Sequence, residues 1–380
     1  MLDPDRPDSI ARAVVLGGLA IGLALGVLGQ ASRFCIRGAI ADWVVLRNPA
    51  RLASWLLAIG VGAVCVQGLV GAGWLDAART LALTERMAWL SYAVGGLLFG
   101  YGMVLAGGCP QRCLVKAGAG NLRAAAVLVV VAIAALMTLR GAFAELRVRY
   151  LDAWSSALGR PQDLGSLLAH GLDADAAMLR WALSLALLAA SLAFAWRVRG
   201  RLDGLHWAGG IGVGLLLAAA FWATGHVGHV AEHPETLEPA WLGTHSRRPE
   251  GLSFAAPMAS LLDLLTMWTD RANVLTFGVA LACGVLAGSH LSARWRGELR
   301  TESFSTPKEL ASHTAGALLM GFGGITALGC SVGNGVTGLA LLSVGAGLAV
   351  AGIVAGAWLA LVLQARGTPV APSPGPGRTC

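Results

Sequence analysis

Residues Leu105–Leu122 read LAGGCPQRCLVKAGAGNL. The stretch ends a long apolar run, Trp89–Ala106, and hydrophobicity resumes at Ala124. Between two segments of membrane length it sets glycines, two cysteines, an arginine and a lysine. Irregular polar backbone is tolerated at membrane depth only where it is buried in protein or lines a watery path. The stretch is therefore either an exposed turn or a re-entrant half-helix. Pro110 suits the first turn of a helix, because its missing N–H would have no partner there anyway. Cys109 is thus expected just ahead of a short helix that carries Arg112, Cys113 and Lys116.

The pattern recurs near the other end of the chain. Gly95–Cys109 reads GGLLFGYGMVLAGGC, and Gly316–Cys330 reads GALLMGFGGITALGC. Eight of the fifteen positions are identical, among them Gly95/Gly316, Gly102/Gly323, Gly108/Gly329 and Cys109/Cys330. A shared glycine ladder ending in Gly-Cys marks an internal repeat that includes the cysteine.

With 56% hydrophobic and 13% charged residues and a mean hydropathy of +0.67, the chain is expected to be an all-α polytopic membrane protein. Its 52 glycines suit helices that pack closely through small faces. The net charge of +7 is carried almost entirely by arginine, which in this setting points to membrane topology and an anionic substrate. No basic–aromatic array is present to bind nucleic acid, no Walker loop to bind ATP, and no Ser-His-Asp arrangement. We expect no cofactor and no enzymatic activity.

Nine spans follow from the hydropathy pattern: residues Ala13–Leu28, Leu52–Trp74, Trp89–Ala106, Ala124–Phe143, Met178–Trp196, Leu205–Thr224, Val274–Leu291, Ala311–Leu328 and Val336–Leu363. Glu145–Leu168 is expected as an interfacial helix, His226–Ser253 as a polar loop, and Met258–Trp268 as a short helix. The two Gly-Cys elements follow the third and eighth spans, so an odd number of spans separates them and the repeats point oppositely through the bilayer. Residues 1–150 then form the first half, 151–204 a linker with the fifth span, 205–365 the second half, and 366–380 a disordered tail. Gly17-Gly18, Gly22-Leu23 and Leu25 match Gly209-Gly210, Gly214-Leu215 and Leu217. Inverted repeats with broken helices meeting near the midplane are a recurring transporter design. Lys and Arg number 16 on the side of the C-terminus against 12 on the other, which places the N-terminus outside and the C-terminus in the cytoplasm.

The seven cysteines match no zinc module and no disulfide framework. Cys65 and Cys283 lie in apolar runs and read as small core residues. Cys380 ends the Pro/Gly tail. Cys109 and Cys330 stand at helix breaks, where a helix N-terminus favours an anion; the alternative is plain packing beside glycines. Cys113 shares a face with Cys109 and reads as a supporting residue. Cys35, in GQASRFCIRGAIADW, lies between Arg33 and Arg37, which either face an anion or obey the positive-inside bias. Its match in the other half falls near Val227. His226, His229 and His233, in HVGHVAEH, fit no familiar metal spacing, so no metal site is expected.

At SRFCIRGAIADW, LAGGCPQRCLVKAGAGNL and GFGGITALGCSVGNGVTG the chain resembles the YeeE/YedE sulfur-transport family. TGHVGHVAEHPETLE and SFAAPMASLLDLLTMW extend the resemblance over most of the sequence. The resemblance implies an hourglass of inverted repeats with half-helices and import of thiosulfate, or a related sulfur anion, across the inner membrane. It implies a path past Cys35, Cys109 and Cys330; from the chemistry of the residues we expect Gly108, Gly329, Arg33, Arg37 and Arg112 beside it and Cys113, Lys116 and Asn334 in secondary positions. A TusA-like cytoplasmic sulfur carrier is the implied partner. The loop after His226 is longer than a compact repeat needs, which leaves other sulfur or selenium species open. The competing class is a membrane-bound sulfurtransferase in which one cysteine becomes a persulfide.

Overall fold

Only a helix satisfies its own backbone in lipid without a neighbour, so long apolar runs close as helices. A computed structural model describes residues 7–232, 238–270 and 273–367. His233 and the tail from 368 with Cys380 lie outside the described residues. The first half holds α1 (Pro7–Ser32), α2 (Ile36–Ala41), α3 (Ala50–Gly71), α4 (Trp89–Leu105), α5 (Pro110–Gly118) and α6 (Leu122–Leu139). Two short helices, α7 (Ala142–Leu146) and α8 (Leu164–Leu172), lead to α9 (Ala176–Arg197). The second half holds α10 (Gly204–Trp222), α11 (Ala255–Thr266), α12 (Phe277–Trp295), α13 (Pro307–Thr326) and α14 (Val344–Gly367). Starts are set by side-chain caps. Asn121 accepts from the Ala124 N–H, Asp203 from that of His206, and Thr306, ahead of Pro307, from that of Glu309.

Among the described residues, eight helical segments are long and apolar enough to cross a membrane. A ninth long helix, α13, carries Lys308 and Glu309 in its first turn and is less apolar. Its charged residues lie at the start of the helix, while its buried residues, from Gly316 to Thr326, fall in the part that packs among α4 and α6.

Contacts between helices come in matched pairs. Helix α1 packs on α12 as α10 packs on α3, and α4 packs on α14 as α13 packs on α6. The α1–α10 and α4–α13 contacts join each helix to its counterpart. Likewise α5 meets α12 and α6, while residues 333–338 meet α3 and α14. The glycine ladder makes the α4–α13 crossing close. A Cβ at Gly95 would sit 2.6 Å from the Ala327 nitrogen, and one at Gly316 would sit 2.6 Å from the Ala106 nitrogen. Backbone therefore lies on backbone, a contact only small residues permit.

Several expectations need correction. The last helix starts at Val344, not Val336, because residues 331–340 form a separate short helix whose middle, Gly333–Gly338, is π-wound. Glu145–Leu168 is not one helix. It runs through a π-wound turn, Arg147–Asp152, then a two-residue strand, β2 (Ser156–Ala157), that pairs with β1 (Arg86–Met87). The polar loop after α10 carries a small hairpin, β3 (His229–Val230) with β4 (Ala240–Trp241). Cys283 is exposed on α12 rather than in the core, and Cys65 is half-buried. The counterpart of α2 is α11, not the Val227 region. Helix α2 packs on α3 and α14, and α11 packs on α12 and α6. Cys35, at the start of α2, thus answers to the Phe254-Ala255 start of α11, so the third cysteine has no cysteine mate.

Candidate functional site

Cys35, Cys109 and Cys330 each immediately precede a short helix, and each carbonyl accepts the first helical bond. The donors are the Ala39 N–H (2.9 Å), the Cys113 N–H (2.8 Å) and the Asn334 N–H (2.8 Å). The thiols turn back over the helix ends. The Gly38 N–H reaches Cys35 Sγ at 3.5 Å, and the Gly333 N–H reaches Cys330 Sγ at 3.4 Å. The Cys109 thiol faces the Arg112 N–H without closing a capping bond. A side chain three residues before an N–H is in the N-cap position, so each sulfur sits where helix ends are positive. All three are buried, Cys330 completely. The Cys109 thiol lies within electrostatic reach of both Cys35 and Cys330. Three helix ends and three thiols therefore converge.

The two Gly-Cys turns share their backbone. Gly107 has φ 76°, and Leu328, its equivalent, has φ 55°. Both are left-handed, which costs leucine more than glycine. The equivalent side chains Cys113 and Asn334 hold the turns from inside. Cys113 Sγ donates to the Gly108 carbonyl at 3.6 Å, and Asn334 Nδ2 donates to Gly329 O at 2.8 Å and Ala327 O at 3.0 Å. Lys116 Nζ adds a bond to Gly107 O at 2.8 Å. With those carbonyls turned inward, the Gly-Cys segments present N–H groups and thiols on their other side. A side chain at either glycine would crowd the turn; a Cβ at Gly329 would meet Asn334 Nδ2 at 3.1 Å.

The arginines divide. Arg37 keeps a buried Nε without a hydrogen-bond partner and lies in the field of Cys113 and Lys116. Arg112 donates from Nη1 to Gly29 O at 3.3 Å, tying α5 to the last turn of α1. Arg33 is exposed, with φ 53° between α1 and α2, and faces Glu298; it is not brought to the thiols. Two residues escaped the sequence reading. Ser331 has a buried, unpartnered hydroxyl beside the Cys109 thiol. Gln111 is buried with an unpartnered Nε2 near Gly29. Ser331 follows Cys330 where Pro110 follows Cys109, a polar exchange at an equivalent position that marks it in hindsight.

Cavities open on the two opposite ends of the bundle. One, of about 340 Å³, lies on the face that carries the start of α12 and the end of α13, and its wall includes Gly329 and Gly333 on either side of Cys330. The other, of about 430 Å³, lies where α13 begins and α14 ends, and its wall includes Gly107, Arg37, Lys308 and His313. Each stops within a few residues of the thiols. His226 stacks near Trp74 and Trp222, and His229 lies against Trp241. Among the described residues no His, Cys, Asp and Glu group is arranged to hold a metal.

Residues 31–359 match the family described as Sulphur transport. The thiosulfate transporter TsuA of Escherichia coli (strain K12) is 27% identical over 371 residues, covering 93% of this chain and 97% of that protein. The thiosulfate transporter TsuA of Spirochaeta thermophila is 24% identical over 347 residues, covering 90% and 96%. The family match takes in the turns at Cys35, Cys109 and Cys330 and runs from the end of α1 into α14, so the chain belongs to the sulphur transport family.

Proposed function

We propose that this protein imports thiosulfate across the inner membrane, along a path from one cavity to the other past Cys330, Cys109 and Cys35. The observation that carries the proposal is the convergence of three helix ends, each begun by a cysteine, between cavities on opposite faces. Thiosulfate is a dianion with a soft terminal sulfur. Each helix end offers about half a positive charge and a set of backbone N–H donors. Arg37 and Lys116 add charge from the flank. A neutral S–H is a weak donor and a polarisable neighbour, so it contacts the soft sulfur without holding it. A row of weak sites lets an ion enter and still leave. Ser331 Oγ, buried and unpartnered, supplies a donor beside Cys109.

The cavity with Arg37, Lys308 and His313 belongs to the Lys/Arg-rich side, so it is the cytoplasmic one, and the N-terminus is periplasmic. A small cytoplasmic sulfur carrier of the TusA type would receive the product there. The two halves, residues 1–150 and 205–365, would act as the inverted units of the transporter, with residues 151–204 linking them.

Proteoliposomes given thiosulfate labelled separately on its sulfane and sulfonate sulfurs test this. Both labels should accumulate inside at equal rates. Sulfane sulfur appearing on the protein or inside the vesicle, with sulfonate left outside, would instead establish persulfide transfer.

A further inference from the structure

The cavity of about 340 Å³ at the start of α12 holds polar groups that the thiol path does not use. Glu250, on the loop between α10 and α11, lines that cavity. Its carboxyl is sunk in the cavity wall, while the opening keeps part of the side chain within reach of water. Oε1 accepts the Ser246 N–H at 2.9 Å and Ser246 Oγ at 2.7 Å, and the His245 N–H also faces the carboxyl. Oε2 takes neither of the Ser246 bonds. It faces Gly278 in the first turn of α12, where a Cβ would come within 3.9 Å of it. Thr276, the N-cap of α12, lines the same cavity and is nine-tenths buried, and its Oγ1 has no partner. A long helix thus points its N-terminus, an unpartnered hydroxyl and a carboxyl into one space.

The segment bearing Glu250 also touches the Cys330 turn. Thr337 Oγ1 donates to Leu252 O at 2.8 Å, and Ser253 packs beside Gly333. Whatever occupies the cavity therefore sits one step from the first thiol.

We infer that this cavity is a binding site for a divalent oxyanion taken up together with one proton, held by Glu250. An ionised Glu250 and an incoming anion compete for the same positive helix end. When the carboxyl takes a proton, the competing charge is gone and the O–H becomes a donor to an anion oxygen, alongside Thr276 Oγ1 and the α12 N–H groups. The proton stays on the carboxyl and no bond of the anion changes. Burial pushes the Glu250 carboxyl above the usual carboxylate range, in the direction the site needs, against the opposing pull of the Ser246 bonds and of the His245 charge and N–H. The other charged groups facing the cavity are His245 on the same loop and Arg147, which is ion-paired with Asp152 at 3.1 Å. The walls from α10, α11 and α13 contribute apolar or hydroxyl groups such as Phe221, Ser260 and Ile325.

The inference rests on thiosulfate being the ligand, and the experiment separates the two. Thiosulfate is titrated calorimetrically into the purified full-length protein between about pH 5.5 and 8, in buffers of different ionisation enthalpy, which counts protons taken up per anion. Wild type should take up close to one proton per anion at the alkaline end, and its affinity should fall tenfold per pH unit there. Glu250→Gln keeps a neutral donor. It should bind at every pH with the acid-side affinity of wild type and take up no proton. Ser246→Ala, which removes one bond to the ionised form, should shift the onset of proton uptake to higher pH. His245→Gln should leave the proton count unchanged. Binding without proton uptake, or the same pH profile in Glu250→Gln, overturns the inference alone. Absence of thiosulfate binding to wild type at any pH overturns the substrate assignment and this inference with it.

Discussion

The equivalent residues Cys113 and Asn334 make a measurable asymmetry. Each reaches back five residues or more to brace a Gly-Cys turn, but with different chemistry. Asn334 Nδ2 makes two amide–carbonyl bonds, at 2.8 and 3.0 Å, in a site where the side chain is nearly buried. Each such bond contributes about 1 kcal/mol net, and a carbonyl left buried and unpaired costs about 1–3 kcal/mol. Asn334→Ala strands Ala327 O and Gly329 O together, for a loss of about 2–4 kcal/mol. Cys113 makes one weak S–H bond at 3.6 Å, so Cys113→Ala should cost less than about 1 kcal/mol beyond its packing. Denaturant unfolding in detergent measures the first difference, and thiosulfate uptake the second. Asn334→Ala should be the less stable variant and should lose most uptake, because Leu328 is already held at a positive φ and the freed turn has a lower-energy backbone to relax into. Equal effects of the two substitutions on stability and uptake would refute the view that these side chains hold the turns open.

Four further outcomes follow. Gly316→Val puts a Cβ 2.6 Å from Ala106 N and 2.6 Å from Gly102 O, neighbours that cannot yield, so it should destabilise by about 3 kcal/mol or more. Gly347→Ala, with open space around it, should be neutral or stabilise by about 0.5 kcal/mol in the same unfolding assay. Because the folded Glu250 carboxyl is raised above its unfolded value of about 4.3, it favours the fold below that pH and loses this contribution as pH rises through the raised value. The unfolding temperature of Glu250→Gln should therefore gain on wild type with rising pH, and a gap that is flat in pH would contradict this. A single cysteine placed at Ala240 in a cysteine-free background should react with an impermeant thiol reagent from the periplasmic side; reaction from the cytoplasm only would reverse the proposed orientation.

Much of the architecture was legible because its causes are local. Pro110 marks the start of α5, and the repeated Gly-Cys sentence marks the break before it and its twin at Cys330. Hydropathy could not find the break at residues 341–343, since Leu341 and Leu342 are as apolar as the helices they separate; only the positive φ of Leu342 ends the short helix there. The match between α2 and α11 was hidden by the long loop before Phe254 and by the loss of the cysteine itself. Arg33 looked like an anion ligand, but the chain needs a left-handed residue between α1 and α2, and that turn carries its side chain outward. Glu250 gave no signal at all. An acid in PEGLSF reads as loop, and its depth in the cavity is a tertiary fact.

The central claim is that Cys109 and Cys330 touch the passing anion. Initial rates of labelled thiosulfate uptake into proteoliposomes by Cys→Ser and Cys→Ala variants at each position test it most directly. Serine keeps a donor but loses the polarisable sulfur, and alanine loses both. The account predicts that uptake falls from wild type to Ser to Ala at both positions, and changes little for Cys→Ala at Cys65 and at Cys283, which lies on the exposed side of α12. Full uptake by both Cys109→Ala and Cys330→Ala would contradict it and leave the two thiols as packing.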